Sequence, residues 1–463
     1  MYRYKNSIIS LLFLALIQAC GSSTNQNESA KQVKFAAFNV SFAHDGDPTE
    51  HFEQWVDFMN TPIEQQNLLI AQWRDGSVND EEKRLAERII QIRNIAAIIQ
   101  MVRPDVLLLN EFNNDGKGED YRALTGFQNN YLSVSQSLNS VDGRDMLHPI
   151  EYPFVANYAT NTGLPSGLDL ANNGYSETDP NDAYGFGFYH GHYAFALLSK
   201  FEIDRDKTRT FQYFKRKDLP GVVMPTVNVC DGSRAIPDGL SCGDNWFTDE
   251  EWQQVRLSSK NHVDAPIHIK TPSGTRTIHA FLAHPTPPGF DTVTDNNKYR
   301  NSAENLFWLH YIEKYAGIKD DKGITGGFNG DSFVLMGDLN ADTVWGRTMD
   351  PRFNGIQQLL SHPRINQEVV NIDGRFMPRS TGGTTEPNRR DHPHPSIRTA
   401  TFGSKADYSV PSSDLKAIDS GVFWPAEEES GRLLMNDPRI GKRGTDKEVS
   451  SDHRLVWVTI ELQ

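Results

Sequence analysis

The feature that most constrains the fold is an apolar run that ends abruptly in polar residues, within residues 333–342. Four consecutive apolar residues, 333–336, predict a strand that is covered on both faces. The strand breaks at Gly337 and is followed by Asp338 and Asn340. Because residues i and i+2 of an extended segment point the same way, both side chains can face one point. Such a pair suits a hard cation or a phosphoryl oxygen, although Gly-Asp-x-Asn is also ordinary turn chemistry.

The same pattern recurs earlier in the chain. Residues 33–40 predict a strand with Asn39 near its end, and residues 105–109 predict another that leads into Glu111. Between them, residues 81–101 carry apolar side chains every three or four positions, which predicts an amphipathic helix packed on a sheet. This order of strand, helix and strand predicts a sheet-rich core with an acid-lined rim.

Further elements follow from periodicity and turn signals. Strands are expected at 193–199, 201–203, 265–270, 276–283, 406–410, 417–423 and 455–460, and helices at 302–315 and 356–360. Four segments lack sustained periodicity and are expected to be loop insertions: 44–80, with room for one short helix, 113–185, 210–255 and 371–400.

The N-terminus has the composition of a targeting segment. Arg3 and Lys5 precede an apolar run at residues 8–17, which is too short to span a bilayer and suits a secretory signal. The run leads into a sequence that resembles a bacterial lipoprotein signal, with Cys20 as the lipidated first mature residue; plain secretory cleavage is the alternative. We expect a signal peptide at 1–19, a polar tether at 20–32 and one folded domain at 33–463. The protein would then be an outer-membrane or cell-surface lipoprotein, held to the membrane through Cys20.

The charge balance disfavours polyanionic partners. The 463 residues include 46 Lys and Arg against 60 Asp and Glu, which gives a net charge of −14. Such a surface repels nucleic acid unless a metal or a local basic patch intervenes. No long basic tract is present in the sequence.

Two cysteines besides Cys20, Cys230 and Cys242, lie in a loop rich in Gly, Pro and Asp. In an exported protein we expect them to form a disulfide that closes this loop. A metal site made of these cysteines is the alternative, but two thiols are too few for the usual closed four-coordinate site.

Polar residues of a few kinds recur at the predicted strand ends. They are Asn39, Glu111, His284, Asp338, Asn340, Asp407, Asp452 and His453. Taken singly, most have ordinary explanations as turn formers, exposed caps or loop histidines. Asp407 is harder to explain in this way, because a carboxylate at the start of an apolar strand needs a partner. Together they predict one site at one rim of the sheets.

The ordered set of motifs resembles the endonuclease/exonuclease/phosphatase superfamily. The motifs are Phe38-Asn39-Val40, Pro104 to Glu111, Leu197 to Lys200, His279 to His284, Gly337 to Asn340, Ala406 to Tyr408 and Ser451 to His453. The resemblance spans residues 33–463 and implies an α/β fold, a four-layered sandwich of two packed, mainly antiparallel sheets flanked by helices, with long loop insertions. It also implies a metal-dependent hydrolase of phosphate esters, of the phosphodiesterase or phosphatase type.

The resemblance further implies a metal centre. Glu111 would be the main carboxylate on Mg²⁺ or Mn²⁺, with Ca²⁺ as a third option, and Asn39 and Asp452 would lie beside it in the metal shell. Oxygen ligands are what such a hard ion requires.

The remaining residues of the resemblance would handle water and phosphate. Asp338 would position or deprotonate the attacking water, and Asn340 would hold the phosphate or the metal. His453 would donate to a non-bridging phosphate oxygen, and Asp407 would fix its ring and keep it protonated. His284 would face the leaving oxygen as a general acid.

Three more residues are candidates for substrate binding: Lys260, His262 and His192. His284 matches a histidine that is found in the DNase-like branch of the superfamily. In that branch, the neighbouring strand often supplies a Glu, Gln or Asn partner for this histidine. Here the nearest candidate is His192, and loop packing explains it equally well.

The sequence leaves the substrate open among a small organic phosphate, a nucleic acid and a lipid head group. No protein partner is inferable. An extracellular endonuclease is one alternative function, and a catalytically silent surface binding protein on the same scaffold is another. The second is disfavoured because Glu111, Asp338 and His453 are all present.

Overall fold

The computed structural model describes residues 30–42, 51–176, 179–387, 390–441 and 447–462. The predicted signal peptide, Cys20 and most of the predicted tether lie outside these residues. Within the described ranges, no helix has both the length and the apolar character needed to cross a bilayer.

The bounds of the regular elements are as follows. The strands of the described chain are β1 (Gln32–Asn39), β2 (Val106–Asn110), β3 (Phe154–Asn157), β4 (Phe195–Ser199), β5 (Glu202–Ile203), β6 (Arg209–Thr210), β7 (His262–Thr271), β8 (Gly274–Ala283), β9 (Ser332–Asp338), β10 (Asp407–Pro411), β11 (Lys416–Val422) and β12 (Val456–Glu461). The α-helices are α1 (Phe52–Met59), α2 (Ile63–Asp75), α3 (Asp80–Val102), α4 (Arg122–Phe127), α5 (Asp249–Trp252), α6 (Asn296–Ile312), α7 (Gly355–Leu360), α8 (Gln367–Val370) and α9 (Gly382–Thr385).

The strands form two six-stranded sheets. The first has the order β11-β12-β1-β2-β4-β3, and the second has the order β10-β9-β8-β7-β5 with β6 also paired to β7. One pair in each sheet is parallel, β1 with β2 and β8 with β9, while the other described pairs are antiparallel. The prediction of mainly antiparallel sheets is confirmed.

Side-chain alternation along the strands builds four layers. In β1, Ala36 and Phe38 join the apolar cluster that contains α3, whereas Phe35 and Ala37 join the cluster between the two sheets. On the outer face of the second sheet, Phe281 of β8 stacks on Trp308 of α6 at 4.7 Å between ring centroids. The order is therefore helix, sheet, sheet, helix, as the resemblance implied.

Helix α3 is the longest helix described and is sharply delimited. The Asn79 side chain accepts hydrogen bonds from the backbone N–H groups of Glu81 and Glu82 at 3.0 Å each, which caps the first turn. At the other end, Arg103 adopts a left-handed conformation with φ of 55°, directly before Pro104. These signals explain why the predicted range of 81–101 differs from the observed one by a single residue at each end.

The predicted insertions hold more structure than expected. Residues 44–80 were expected to hold one short helix, but α1 and α2 both lie there; residues 113–185 contain α4 and β3. In the segment 210–255, Cys230 and Cys242 form a disulfide, as predicted from the sequence. Val227, Trp246 and Phe247 form part of a small separate apolar cluster in this region.

Candidate active site

Strand pairing brings the predicted polar residues to one rim. In the first sheet Asn39 lies opposite Asn110 in a parallel pair, so Glu111 follows at the same edge. In the second sheet, Asp407 of β10 lies opposite Asp338 of β9. Because side chains at paired positions point to the same face of a sheet, Asp338 and Asp407 are neighbours.

Asn110 ties the two sheets together beneath the site. Its Nδ2 donates to the carbonyl oxygen of Ala283 at 3.3 Å, and its Oδ1 accepts from the backbone N–H of Asp338 at 3.1 Å. Its side chain has no solvent exposure. This residue was missed in the sequence, where an asparagine at the end of an apolar strand suggests only a turn.

Unusual backbone conformations occur at three positions of the candidate site, Gly337, Glu111 and Asn340. Gly337 has a φ of 152°, and a Cβ at this position would lie 2.0 Å from the carbonyl oxygen of Ala283. Only glycine fits here. Glu111 and Asn340, which follow β2 and β9, are left-handed with φ of 58° and 50°. Non-glycine residues held in this region are uncommon and concentrate at functional sites.

The Asp338 carboxylate lies at the centre of a cluster of polar side chains that includes Asn39, His284 and His453. Its Oδ2 accepts from Asn39 Nδ2 at 3.1 Å and lies 3.5 Å from His284 Nε2 and 3.7 Å from His453 Nε2. Its Oδ1 accepts from the backbone N–H of Asn340 at 3.0 Å. Burial raises the pKa of Asp338 to about 6, with the charge of His453 opposing that rise. Asp338 is therefore mostly ionised at neutral pH and can accept a proton.

His453 and Asp407 form a buried ion pair. His453 Nδ1 donates to Asp407 Oδ2 at 2.9 Å, and the Asp407 backbone N–H donates to Thr399 Oγ1 at 3.0 Å. Burial alone would lower the pKa of His453, but Asp407 and then Asp338 outweigh it and hold that pKa well above the ordinary value. His453 thus keeps its proton at neutral pH and has Nε2 free to donate toward the cluster.

His284 is in the opposite state. Burial, followed by the charges of Lys260 and His453, lowers the pKa of His284 well below its ordinary value. Its Nδ1 is buried and has no hydrogen-bond partner among the residues that the structure describes. A neutral imidazole donates through one nitrogen only. The Asn340 amide, predicted to hold phosphate or metal, donates to the carbonyl oxygen of Pro285 at 3.1 Å and so supports the loop after His284.

The residues predicted to hold the metal, Asn39, Glu111 and Asp452, lie close to Asp338 and are joined by hydrogen bonds. Asn39 Nδ2 donates to Glu111 Oε1 at 3.0 Å, and Ser41 Oγ donates to Asp452 Oδ1 at 2.5 Å. Burial and then the charge of Asp452 raise the pKa of Glu111 to about 8. Carboxylates that destabilise one another in this way are stabilised by a divalent cation, so this oxygen-rich set fits Mg²⁺ or Mn²⁺.

A different group of described residues, Asp338, Asp407 and His453, has ligand atoms close enough to hold an ion. One ligand atom each of Asp338, Asp407 and His453 lies within 4.8 Å of the others, and all three residues are buried. However, His453 Nδ1 already donates to Asp407, and a protonated imidazole cannot bind a metal. While His453 is protonated, this group is therefore unsuited to hold a metal ion.

Lys260 and His192 lie beside the cluster. Burial lowers the pKa of Lys260, while attraction to carboxylates that include Glu111 and Asp338 opposes that shift. His192 stacks against Tyr189, with ring centroids 4.9 Å apart, and burial and then Lys260 lower its pKa to about 3. His192 Nδ1 accepts from the backbone N–H of Phe188 at 3.4 Å. The structure places His192 in aromatic packing, and no described contact joins it to His284.

His262 lies apart from the acidic cluster in the described structure. Its Nδ1 contacts the Ser258 hydroxyl, and its Nε2 lies 2.8 Å from the carbonyl oxygen of Glu304. The Glu304 carboxylate accepts from the backbone N–H groups of Ser259 and Thr286 at 2.6 Å each. Glu304 therefore holds the segments beside Lys260 and His284, a role that the sequence did not indicate.

Residues 82–453 match the model of the "Endonuclease/Exonuclease/phosphatase family". The chain belongs to this family. The family comprises phosphoesterase- and nuclease-type hydrolases, so the acids and imidazoles at the common rim belong to a hydrolase scaffold. A search of curated proteins found no match.

Solved structures named for the same family match this chain at low sequence identity. The chain is similar to an endonuclease/exonuclease/phosphatase from Beutenbergia cavernae, with 13% identity, a TM-score of 0.43, and 94% of this chain and 72% of that chain covered. A family protein from Leptotrichia buccalis has 13% identity, a TM-score of 0.39 and coverage of 93% and 100%. One from Bacteroides thetaiotaomicron has 11% identity, a TM-score of 0.39 and coverage of 94% and 97%.

Proposed function

We propose that the protein hydrolyses phosphate esters with the help of a divalent cation, Mg²⁺ or Mn²⁺, while anchored outside the cytoplasm through a lipidated Cys20. The observation that carries the catalytic part is the environment of Asp338. Its Oδ2 faces both histidines, His284 at 3.5 Å and His453 at 3.7 Å, and accepts a hydrogen bond from Asn39.

The reaction needs an aligned water and a way to offset the negative charge of the phosphoryl group. Asp338 accepts the proton of the attacking water, since its pKa of about 6 leaves it ionised at neutral pH. His453, held protonated by Asp407, donates through Nε2 to a non-bridging oxygen. The deprotonated base, Asp338, and the protonated donor, His453, thus lie side by side.

Glu111, Asp452 and Asn39 would hold the cation. When bound, a divalent cation acts as a Lewis acid that neutralises charge on the phosphoryl oxygens. The Ser41 hydroxyl orients Asp452, and Asn39 bridges Glu111 to Asp338, so these residues keep the cation site next to the base.

His284 is the candidate donor to the leaving oxygen. It is neutral in the free protein and carries one N–H. The negative charge of a bound phosphoester would favour the protonated imidazole. Its role as general acid therefore depends on substrate binding.

The net charge favours a compact substrate. A chain with a charge of −14 repels an extended polyanion, whereas a small phosphoester places only one charged group at the rim. We propose a small organic phosphoester as the substrate class.

Hydrolysis of bis- and mono-p-nitrophenyl phosphate tests the proposal. We expect release of p-nitrophenol with Mg²⁺ or Mn²⁺ and none with EDTA. Asp338→Asn is expected to lower kcat by about 10²- to 10⁴-fold with KM little changed, because the base is lost while the binding groups remain. Asp373→Asn, the same change at an exposed position, serves as the matched control. The proposal would be contradicted if neither ester is hydrolysed with any of the metals.

A further inference from the structure

A cavity lies between α2, α3 and the segment around Ser140, outside the site described above. Its volume is about 190 Å³, and residues that line it include Asn67, Arg74, Arg93, Asn94 and Ser140. At ~30 Å³ per water molecule, this is room for about six waters.

The polar lining of the cavity is made of potential donors. It has two guanidinium groups, two carboxamides and a hydroxyl, and no carboxylate among the described residues that line it. This is unusual in a chain with a net charge of −14. A donor-rich cavity of this kind is complementary to an anion.

Arg93 is held in place without an acidic partner. Its Nε donates to Gln136 Oε1 at 3.0 Å, and its Nη1 donates to Asn67 Oδ1 at 2.8 Å. Among the described residues, no carboxylate lies within ion-pair distance of Arg93 or of Arg74. Burial lowers the pKa of Arg93, with only Tyr131 opposing that shift. A partly buried cation without a counter-charge costs free energy, which a bound anion would recover.

Two further groups at the cavity are fixed or unpaired. Arg74 Nη1 donates to the carbonyl oxygen of Val141 at 3.1 Å, which ties its side chain to the segment that carries Ser140. The Ser140 hydroxyl is buried and has no hydrogen-bond partner in the described part of the chain, and the residue has a left-handed φ of 55°. An unpaired buried hydroxyl in a strained residue is unusual unless a ligand or a water completes it.

We propose that this cavity binds a small tetrahedral oxyanion, such as free inorganic phosphate, between the guanidinium groups of Arg74 and Arg93 and the Ser140 hydroxyl. Guanidinium groups present paired N–H donors that match such an oxyanion. The proposal depends on the structure of the cavity and not on the proposed phosphoesterase activity.

The cavity is also connected to the rim that carries the catalytic candidates. Asn94, part of its lining, donates through Nδ2 to the carbonyl oxygen of Val449 at 2.8 Å. One turn earlier on α3, Gln91 donates to the carbonyl oxygens of Ser450 and Ser41 at 2.9 and 3.2 Å. The proposed ligand would therefore sit on the helix that supports the segments leading to His453 and following Asn39.

Isothermal titration of the purified chain with inorganic phosphate, in EDTA and at constant ionic strength, tests the proposal. We expect one saturable site in the wild type, and at least a tenfold weaker affinity in Arg93→Gln and in Arg74→Gln. Arg84→Gln removes one positive charge from an exposed position on the same helix and is expected to leave binding unchanged. His284→Gln alters the candidate active site and is also expected to leave this binding unchanged, which separates the two sites.

Arg74 is exposed, so its variant keeps the test valid if Arg93→Gln does not fold. Sulfate is expected to displace phosphate, and chloride at equal ionic strength is not. The proposal is wrong if the wild type shows no saturable binding tighter than about 10 mM. It is equally wrong if both arginine variants bind like the wild type, or if chloride displaces phosphate as well as sulfate does.

Discussion

Replacing Glu111 by glutamine should have opposite effects on the metal-free and the metal-bound protein. Without metal, the Glu111 carboxyl is half-buried beside Asp452 and Asp338, and ionising it is unfavourable because of desolvation and their charges. Glutamine removes that charge and keeps nearly the same shape. If Glu111 holds the cation as proposed, its loss should remove the stabilisation that the bound cation provides.

The magnitude follows from the pKa of Glu111, which is about 8 in the folded chain against an ordinary value of 4.5. A carboxyl with a raised pKa keeps its proton when folded and releases it when unfolded, so stability falls as the pH rises from about 4.5 to about 8. At 1.36 kcal/mol per pKa unit the full effect would be about 5 kcal/mol. Because Glu111 is partly exposed, we expect solvent screening to reduce the loss to about 2–3 kcal/mol.

Urea unfolding at pH 5 and pH 8 in EDTA measures this loss. The wild type should lose about 2–3 kcal/mol of unfolding free energy between the two pH values, and Glu111→Gln should lose correspondingly less. Adding Mg²⁺ or Mn²⁺ at about 100 times its Kd should restore about 2.7 kcal/mol to the wild type and little to the variant. Glu119→Gln, the same change at an exposed position in the following loop, is the control. A variant with the wild-type pH slope and the wild-type metal response would refute the reasoning.

Three further predictions concern the pH dependence of the reaction, the ion pair and the anchor. The kcat/KM should rise with pH on the acid side, with a midpoint near pH 6, because Asp338 has a pKa of about 6 and must be ionised to accept a proton. A pH-rate profile that is flat through this range would contradict that role. Asp407→Asn should move the alkaline limb of the same profile to lower pH, because His453 loses the main partner that raises its pKa; an unchanged limb would show that Asp407 does not control the imidazole. Cys20→Ser should shift the protein from the membrane to the soluble fraction on cell fractionation, and continued membrane association would argue against lipidation.

The sequence predicted those elements whose burial pattern is strong. Residues 333–336 lie within β9, and α3 begins and ends within one residue of its predicted range. The short helix α1 was not predicted as a separate element, because only Trp55, Val56 and Met59 of its residues are buried. The edge strand β3 pairs with β4 alone and is half-exposed over its first two residues, so its sequence carries little pattern.

The charged residues of the site were predictable because few side chains can serve this chemistry. The uncharged residues that position them were not. Asn110 contacts the main chain of residues 173 and 228 positions away, and a contact of that range depends on how the two sheets meet. Thr399 and Ser41 likewise act through the backbone or side chain of distant residues. For His192 the sequence left support of His284 and loop packing equally open, and the imidazole packs against Tyr189 and Tyr193.

The pairing of β1 with β2 and of β9 with β10 fixes the candidate active-site residues at these strand ends independently of the long loops elsewhere in the chain. A strand cannot slip by one position without turning every side chain to the wrong face, so the catalytic geometry resists drift. The described parts of the connections over 112–153, 158–194 and 211–261 contain none of the paired strands, so these connections can change in length and composition without that constraint. In such a fold, changes in loop sequence can alter substrate preference while the candidate active-site residues at the strand ends keep their positions.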